Sequence, residues 1–142
     1  MSAVIGLDHG SRRIGVAVGD EETGQAFPRT AVRRRNVAAD LEQIGALAQA
    51  ERTTRIVLGL PRNMDGSEGT QATAARAFGA QLSDIGLEVI FVDERLTTWQ
   101  AAERLEAAGR RPERESGEKD SAAACLILQE WLDRRRANDP TA

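Results

Sequence analysis

Short apolar runs separated by polar turns occupy the start of the chain, which is typical of strands joined as hairpins. Gly10 and Ser11 predict a tight reversal between the first two runs. Pro28, which cannot donate a ladder hydrogen bond, predicts that the third run is a short, weak or edge strand. The predicted strands are Ala3–Asp8, Arg13–Gly19 and Ala26–Arg33.

After these strands, apolar positions recur at helical spacing in some segments and form short unbroken runs in others. Asn36 is the predicted N-cap of a first helix that ends near Ala50. The runs Arg55–Leu60 and Leu87–Val92 predict two buried parallel strands. Further helices are predicted over Thr70–Ile85, from Thr97 or Thr98 to Ala108, and over Glu118–Arg136.

The order of these elements predicts an α/β fold, because three hairpin strands are followed by alternating helices and strands. We expect one mixed five-stranded sheet, with a three-stranded antiparallel hairpin region and two parallel strands, flanked by helices. A chain of 142 residues fits a single domain. We place that domain over residues 1–136 and expect a disordered tail over residues 137–142.

Composition narrows the class of protein. The apolar fraction, 41%, is near that of a soluble globular domain, and no run approaches the roughly 20 apolar residues of a membrane span. The stretch Ala3–Leu7 lacks the length and cleavage pattern of a signal peptide. A single cysteine, Cys125, excludes a disulfide within one chain, and no Cys/His cluster suits zinc. We therefore expect a cytoplasmic protein.

The charge distribution is more informative than the net charge of −3, which by itself argues against a nucleic-acid partner. Of the 19 basic residues all but Lys119 are arginines, whose guanidinium groups suit bidentate contacts with phosphate. A solvated surface, with arginine favoured by a GC-rich genome, explains the same runs. The clusters are Arg12-Arg13, Arg33–Arg35, Arg110-Arg111 and Arg134–Arg136.

Two predicted strands end in carboxylates. Asp8 ends the first strand, and Asp93 and Glu94 follow the strand Leu87–Val92. If these strands are neighbours, Asp8 and Glu94 converge at one edge of the sheet, where α/β proteins tend to bind ligands. Two alternatives remain: Asp8 bonds only its own turn, or Arg12 and Arg95 pair with these acids.

A third carboxylate, Asp120, lies in the first turn of the last predicted helix. Its neighbours on the same helix face are apolar, so we expect it to face the sheet; as an alternative, it only complements the helix dipole. Three carboxylates and one histidine fit hard cations best, namely two Mg²⁺ or Mn²⁺ ions with Asp8 as the bridging ligand. The neighbours of Asp120 are Ala123, Ala124, Ile127 and Trp131.

Other catalytic motifs are absent from the sequence. It contains no G-x-x-x-x-G-K-[ST] loop and no G-x-S-x-G elbow, and its one cysteine has no plausible histidine partner. His9 could contact substrate or water, but a lone histidine is more often incidental. The Asp8-His9-Gly10 turn is also found in phosphotransferases of the actin/hexokinase type, which need two such domains.

Four segments resemble the YqgF/RuvX family of Holliday junction resolvases: "GLDHGSRRIGVAVGD", "GLPRNMDGSEG", "DERLTT" and "KDSAAACLILQ". They occur in the family's order between Gly6 and Gln129. The resemblance implies an RNase H-like fold, with Asp8, Glu94 and Asp120 as the metal-binding and catalytic set. It also implies that Asp93 points to the other face of the sheet, where it either lies next to the metal-binding residues or forms a salt bridge.

The resemblance implies a metal-dependent endonuclease, and we take a four-way DNA junction as the first substrate, cut by a homodimer for DNA recombination and repair. The alternatives are maturation of the 5′ end of pre-16S rRNA and a non-catalytic nucleic-acid-binding factor. The residues expected to contact nucleic acid are Arg12, Arg13, Arg62, Asn63, Arg95, Arg110, Arg111 and Lys119.

Overall fold

A computed structural model describes residues 2–96 and 121–137, which form one five-stranded sheet and three helices. The strands are β1 (Ala3–His9), β2 (Arg13–Asp20), β3 (Gln25–Arg33), β4 (Arg55–Leu60) and β5 (Glu88–Asp93). The helices are α1 (Val37–Ala50), α2 (Thr70–Asp84) and α3 (Ala122–Ala137), and a 3₁₀ turn covers Glu94–Leu96.

The sheet has the order β3-β2-β1-β4-β5. The strands β1, β2 and β3 pair antiparallel, whereas β4 is parallel to β1 and β5 is parallel to β4. This arrangement confirms the predicted fold class: an antiparallel hairpin region is joined to two parallel strands. The central strand is β1, so its last residues lie in the middle of one end of the sheet.

Each face of the sheet carries its own core. Ile5 and Leu7 of β1 pack with residues of α1 and α2, whereas Val4 packs with residues of α3. Because strand side chains alternate, Gly6 and Asp8 belong to the α3 face. A Cβ on Gly6 would lie 2.7 Å from Leu128 Cβ and 3.0 Å from the Ala124 carbonyl oxygen. The absence of a side chain at Gly6 therefore allows α3 to approach the sheet closely.

Helix α1 begins where the sequence predicts, since the Asn36 side chain accepts a 2.8 Å hydrogen bond from the Ala39 N–H. Strand β3 lies at an edge as predicted, but at nine residues it is the longest strand described, not a short one. The strand predicted over Leu87–Val92 is present as β5 and is parallel to β4, but the prediction that it is buried is wrong. In the described residues β5 is the other edge strand, and only Val92 in it is buried.

The C-terminal predictions are covered only in part. The helix predicted to end at Ala108 and the predicted start of the last helix at Glu118 lie outside the described residues. Helix α3 includes Ala137, which the sequence analysis assigned to the tail. None of the helices that the structure describes combines the length and apolar character needed to cross a membrane.

Candidate active site

Asp8 lies near the end of the central strand, on the face covered by α3. It pairs with Gly15 of β2. Its side chain lines a cavity of about 430 Å³, together with Glu94 and residues of the β1–β2 turn and the start of α2. Asp8 is therefore a charged group at the sheet end with open space beside it, as the sequence predicts.

Glu94 reaches Asp8 across an intervening strand. The sequence analysis made their convergence conditional on β1 and β5 being neighbours, but β4 separates these strands. The two carboxyl groups are nevertheless hydrogen-bonded. Gly59 of β4 makes this contact possible, because a Cβ there would lie only 2.7 Å from Glu94 Oε1. The missing side chain thus provides the space through which Glu94 extends over β4 toward the central strand.

This contact changes the protonation of Glu94. Burial, the hydrogen bond to Asp8 and the negative charges of Asp8 and Asp93 raise the pKa of Glu94 to about 7. A carboxyl group with that pKa is mostly protonated below pH 7. Its proton makes the hydrogen bond between Glu94 and Asp8. Two carboxyl groups so close favour either a shared proton or a bound cation.

The third predicted carboxylate, Asp120, lies outside the described residues, but the next residue does not. Ser121 is fully buried, and its Oγ accepts a 2.9 Å hydrogen bond from the Val16 N–H. The β2–β3 register shifts between Ile14 and Val16, and the serine hydroxyl satisfies the Val16 donor at this irregularity. The residue before α3 is thereby fixed to β2 next to Gly15, the partner of Asp8.

In residues 2–96 and 121–137, no group of three histidine, cysteine or acidic side chains is arranged to hold a metal ion.

The prediction of which face of α3 packs on the sheet is only partly confirmed. Ala124 and Ile127 are buried against the sheet and Trp131 is half-buried, but Ala123 is exposed. Most of the residues predicted to face the sheet therefore do so, and Ala123 is the exception among them.

We expect Ser121→Ala to destabilise the protein by about 1–3 kcal/mol, because it leaves the buried Val16 N–H without its acceptor. Urea denaturation measures the change in the free energy of unfolding. Thr73→Ala is the matched control, since the Thr73 hydroxyl donates to the Gly69 carbonyl oxygen at an exposed position and its loss costs about 0.5 kcal/mol or less. Equal effects of both substitutions would contradict a structural role for Ser121.

His9 follows Asp8 but faces the opposite side of the sheet. Its ring stacks on Phe78 of α2, with centroids 4.7 Å apart. Burial and the positive charge of Arg34 lower the pKa of His9, so the imidazole is neutral at pH 7. The ring also lines the cavity beside Asp8. Stacking on Phe78 gives this histidine a packing contact, and contact of its ring with substrate or water stays a prediction.

The predicted nucleic-acid contacts near Glu94 already have partners within the protein: two arginines pair with acids, and Asn63 pairs with a serine. Arg95 forms an ion pair with Asp93 at 2.6 Å, which lowers the pKa of Asp93. This confirms the predicted salt bridge. Arg62 lies 3.5 Å from Glu68. Asn63 belongs to the turn that joins β4 to α2, where its amide donates to Ser67 Oγ at 3.0 Å.

The remaining predicted contacts divide into two groups. Arg12 and Arg13 are exposed at the β1–β2 turn, at the same end of the sheet as Asp8. Arg110, Arg111 and Lys119 lie outside the described residues. Two residues were not singled out by the sequence analysis, Gly59 and Ser121, and Arg34 was named only as a member of an arginine cluster. A glycine inside the apolar run "RIVLGL" was the available signal for Gly59, whereas no local pattern indicates Ser121.

Structural comparison defines the class of fold. The chain superposes on RuvC of T. thermophilus, solved in complex with a Holliday junction substrate, with a TM-score of 0.62 and 14% sequence identity. The match covers 97% of this chain and 98% of that one. The RuvC fold is an RNase H-like nuclease fold, so the predicted architecture is confirmed.

Sequence comparison then identifies the family. Residues 2–134 match the model of the RuvX family, described as Holliday junction resolvase. A "Putative pre-16S rRNA nuclease" of Synechococcus sp. is 44% identical over 135 residues, which cover 94% of this chain and 91% of the relative. A protein of the same name from Anaeromyxobacter sp. (strain K) is 46% identical over 92% of this chain and 96% of its own length. The chain belongs to the RuvX family of nucleases, and it is an endonuclease.

Proposed function

We propose that this endonuclease depends on divalent metal ions and processes the 5′ end of pre-16S rRNA. The observation that carries the catalytic part is the hydrogen-bonded pair of Asp8 and Glu94 at the cavity wall. The names of the relatives, which at 44% and 46% identity cover most of the chain, support the substrate.

The acidic pair fits a cation of the Mg²⁺ or Mn²⁺ type. Its donors are carboxylate oxygens, which these hard ions prefer. Burial and the neighbouring negative charges raise the pKa of Glu94, and a cation would neutralise those charges. We propose that Asp8, Glu94 and Asp120 would hold such ions. The anchoring of Ser121 near the partner of Asp8 supports a place for Asp120 in this set.

The chain's own residues then have distinct roles. Divalent ions held there would supply an activated water and stabilisation of the leaving oxygen of a phosphodiester. Asp8 and Glu94 hold the negative charge that binds these ions, and Gly59 keeps the path between them open. Arg34 lines the same cavity and is fixed by a 2.9 Å hydrogen bond to the Gly10 carbonyl oxygen. Its guanidinium supplies positive charge for a phosphate that enters the cavity.

We expect the affinity for Mn²⁺ to weaken about tenfold per pH unit below the Glu94 pKa of about 7. Below that pH Glu94 holds a proton that the metal must displace, whereas above it the carboxylate is already ionised. Calorimetric titration of the wild type from about pH 5.5 to about pH 8 measures the dependence. Glu94→Gln is expected to bind more weakly with little pH dependence, and an equally steep slope in this variant would contradict the assignment.

A four-way DNA junction is the second candidate substrate. The sequence analysis placed it first, and the description of the matching family supports it. The names of the relatives favour the ribosomal precursor instead. Both substrates require the same hydrolysis of a phosphodiester, so the site alone does not separate them. Dimer formation, which a junction would favour, remains a prediction.

The experiment compares two labelled substrates under identical conditions, with Mg²⁺, with Mn²⁺ and with chelator. One is a 16S precursor RNA that carries its 5′ extension, and the other is a synthetic four-way DNA junction. We expect metal-dependent cleavage of the RNA at one position, at a rate above that of the junction. Faster cleavage of the junction would overturn the substrate assignment, and inertness on both would overturn the catalytic proposal.

A further inference from the structure

Asp40 is a buried acid to which the proposed reaction assigns no role. It lies in the first turn of α1 and is only 1% exposed. Its Oδ1 accepts a 3.1 Å hydrogen bond from the Arg35 N–H, and its Oδ2 lies 3.7 Å from Arg34 Nε. A carboxylate without water around it has to be compensated by opposite charge and hydrogen bonds. Asp40 therefore ties the start of α1 to the segment that follows β3.

Arg34 is held through its backbone and through two of its side-chain nitrogens. Its N–H donates to the Arg12 carbonyl oxygen at 2.9 Å, and its Nη1 donates to the Gly10 carbonyl oxygen at 2.9 Å. The ion pair with Asp40 engages Nε. In the part of the chain that the structure describes, Nη2 has neither a hydrogen bond nor an ion pair. Because a guanidinium carries five N–H donors in a rigid plane, these contacts orient the plane and leave the donors of Nη2 for a ligand.

The cavity beside Asp8 has an acidic side and a basic side. Arg34 lines this cavity together with Asp8 and Glu94, and among the described residues it is the only lysine or arginine that does so. Asp8 belongs to the face of the sheet that α3 covers. Arg34 is held by α1, which packs on the opposite face. The cavity therefore crosses the end of the sheet, with the carboxyl pair and the guanidinium on different sides of it.

We propose that Asp40 is a positioning residue, which holds Arg34 so that its guanidinium binds a phosphate of the substrate strand next to the cleaved one. The inference rests on the nucleic-acid substrate proposed above, and it adds the role of Asp40 and the choice of phosphate. Charged hydrogen bonds between arginine and phosphate gain most when the guanidinium is oriented in advance. The neighbouring phosphate keeps its charge throughout the reaction, so Arg34 binds the ground state and the transition state alike. Arg34 and Asp40 thus act on substrate affinity and not on the chemical step.

Two conservative substitutions separate this role from a purely structural one. Asp40→Asn keeps an oxygen that can accept the Arg35 N–H, so the start of α1 is preserved, but it removes the negative charge that holds Arg34. Arg34→Gln removes the positive charge that binds phosphate and keeps an amide that can donate to Asp40. The buried carboxylate is therefore not left without a donor.

The test measures kcat and KM for cleavage of the labelled 16S precursor RNA with Mg²⁺, at a temperature at which circular dichroism shows every variant folded. We expect KM to rise about tenfold in Arg34→Gln and at least about threefold in Asp40→Asn, with kcat changed by less than about twofold. The double variant should match Arg34→Gln, because Asp40 acts through Arg34. Arg52→Asn is the matched control and should keep the wild-type KM. It also removes one positive charge, at an exposed position beyond the end of α1, where the φ of 56° is tolerated by asparagine.

Arg34→Lys serves if loss of either charge prevents folding. It keeps a positive charge beside Asp40 but lacks the planar fork, so its KM should also rise. An unchanged KM in the Arg34 variants, while the wild type cleaves the RNA, would overturn the phosphate contact and leave the proposed function intact. Effects of Asp40→Asn and Arg34→Gln that multiply in the double variant would overturn the positioning role, because Asp40 would then act independently of Arg34. A wild type that neither binds nor cleaves the RNA would overturn both the inference and the proposed function.

Discussion

Asp8→Asn is expected to abolish cleavage while leaving the fold and the binding of nucleic acid intact. Asparagine has the size of aspartate and keeps one carbonyl oxygen, so it retains a hydrogen bond with Glu94. It lacks the negative charge that the proposed divalent cation would require at this position. Since Asp8 lies one residue before the end of the central strand and contacts Glu94, its substitution removes one of the negative charges proposed to bind the ions.

The expected loss is at least about a thousandfold in the rate of a single turnover, which corresponds to about 4 kcal/mol of transition-state stabilisation. Binding of the RNA precursor, measured in chelator, should remain equal or become tighter, because one negative charge near phosphate is gone. We expect Mn²⁺ to raise the unfolding temperature of the wild type and to leave that of the variant unchanged.

Asp20→Asn is the matched control for this experiment. Asp20 also ends a strand, but at the opposite end of the sheet, where it pairs with Ala3. Its carboxylate accepts a 2.7 Å hydrogen bond from the Glu22 N–H, which an asparagine carbonyl can also accept. Normal cleavage by Asp8→Asn would show that Asp8 only closes its turn, and the chain would then lack the proposed metal site.

The strands and helices with strong local signals could be predicted from the sequence. Asn36 caps α1 as expected, and β4 has the predicted limits, Arg55–Leu60, because Pro61 ends an unbroken apolar run. The burial of β5 could not be predicted in the same way. The runs "RIVLGL" and "LEVIFV" have the same character, and only the strand order determines that the first is interior and the second lies at an edge.

The candidate site shows a similar division. The carboxylates Asp8 and Glu94 could be predicted because each follows an apolar run. The way in which they come into contact could not be predicted. It depends on Gly59 in β4, and the sequence does not indicate that β4 lies between β1 and β5. The ion pair between Arg95 and Asp93 could be predicted, because these residues are only two positions apart in the chain. The bond between Ser121 and Val16 was not, because it joins positions 105 residues apart.

Gly59→Ala is expected to lower both stability and cleavage, with the larger effect on cleavage. The new Cβ would lie 2.7 Å from Glu94 Oε1 and 2.6 Å from Ile127 Cδ1, distances that real Cβ atoms do not adopt. Ile127 is buried against the sheet, so it can give way only slightly. The carboxylate of Glu94, at the end of a flexible side chain, moves instead and loses its position beside Asp8.

We expect an overpacking cost of about 1–3 kcal/mol in the free energy of unfolding. Cleavage of the RNA precursor should fall about a hundredfold, because a displacement of about 1 Å in a catalytic constellation has an effect of this size. The pKa of Glu94 provides a direct readout, since separation from Asp8 removes the hydrogen bond and part of the charge that raise it to about 7. Carboxyl ¹³C NMR of the metal-free protein should report a lower value in the variant.

Gly79→Ala is the matched control. It distinguishes the effect of overpacking anywhere in the core from the effect of overpacking beside Glu94. A Cβ on Gly79 would lie 2.6 Å from Phe91 Cζ, as close as the contact at Gly59, but on the face that carries α2. This variant should lose stability and keep its cleavage rate at temperatures where it is folded, because neither Asp8 nor Glu94 is contacted. If Gly59→Ala also cleaves at the wild-type rate while folded, the opening in β4 has no part in catalysis. The approach of Glu94 to the central strand would then be a matter of packing alone.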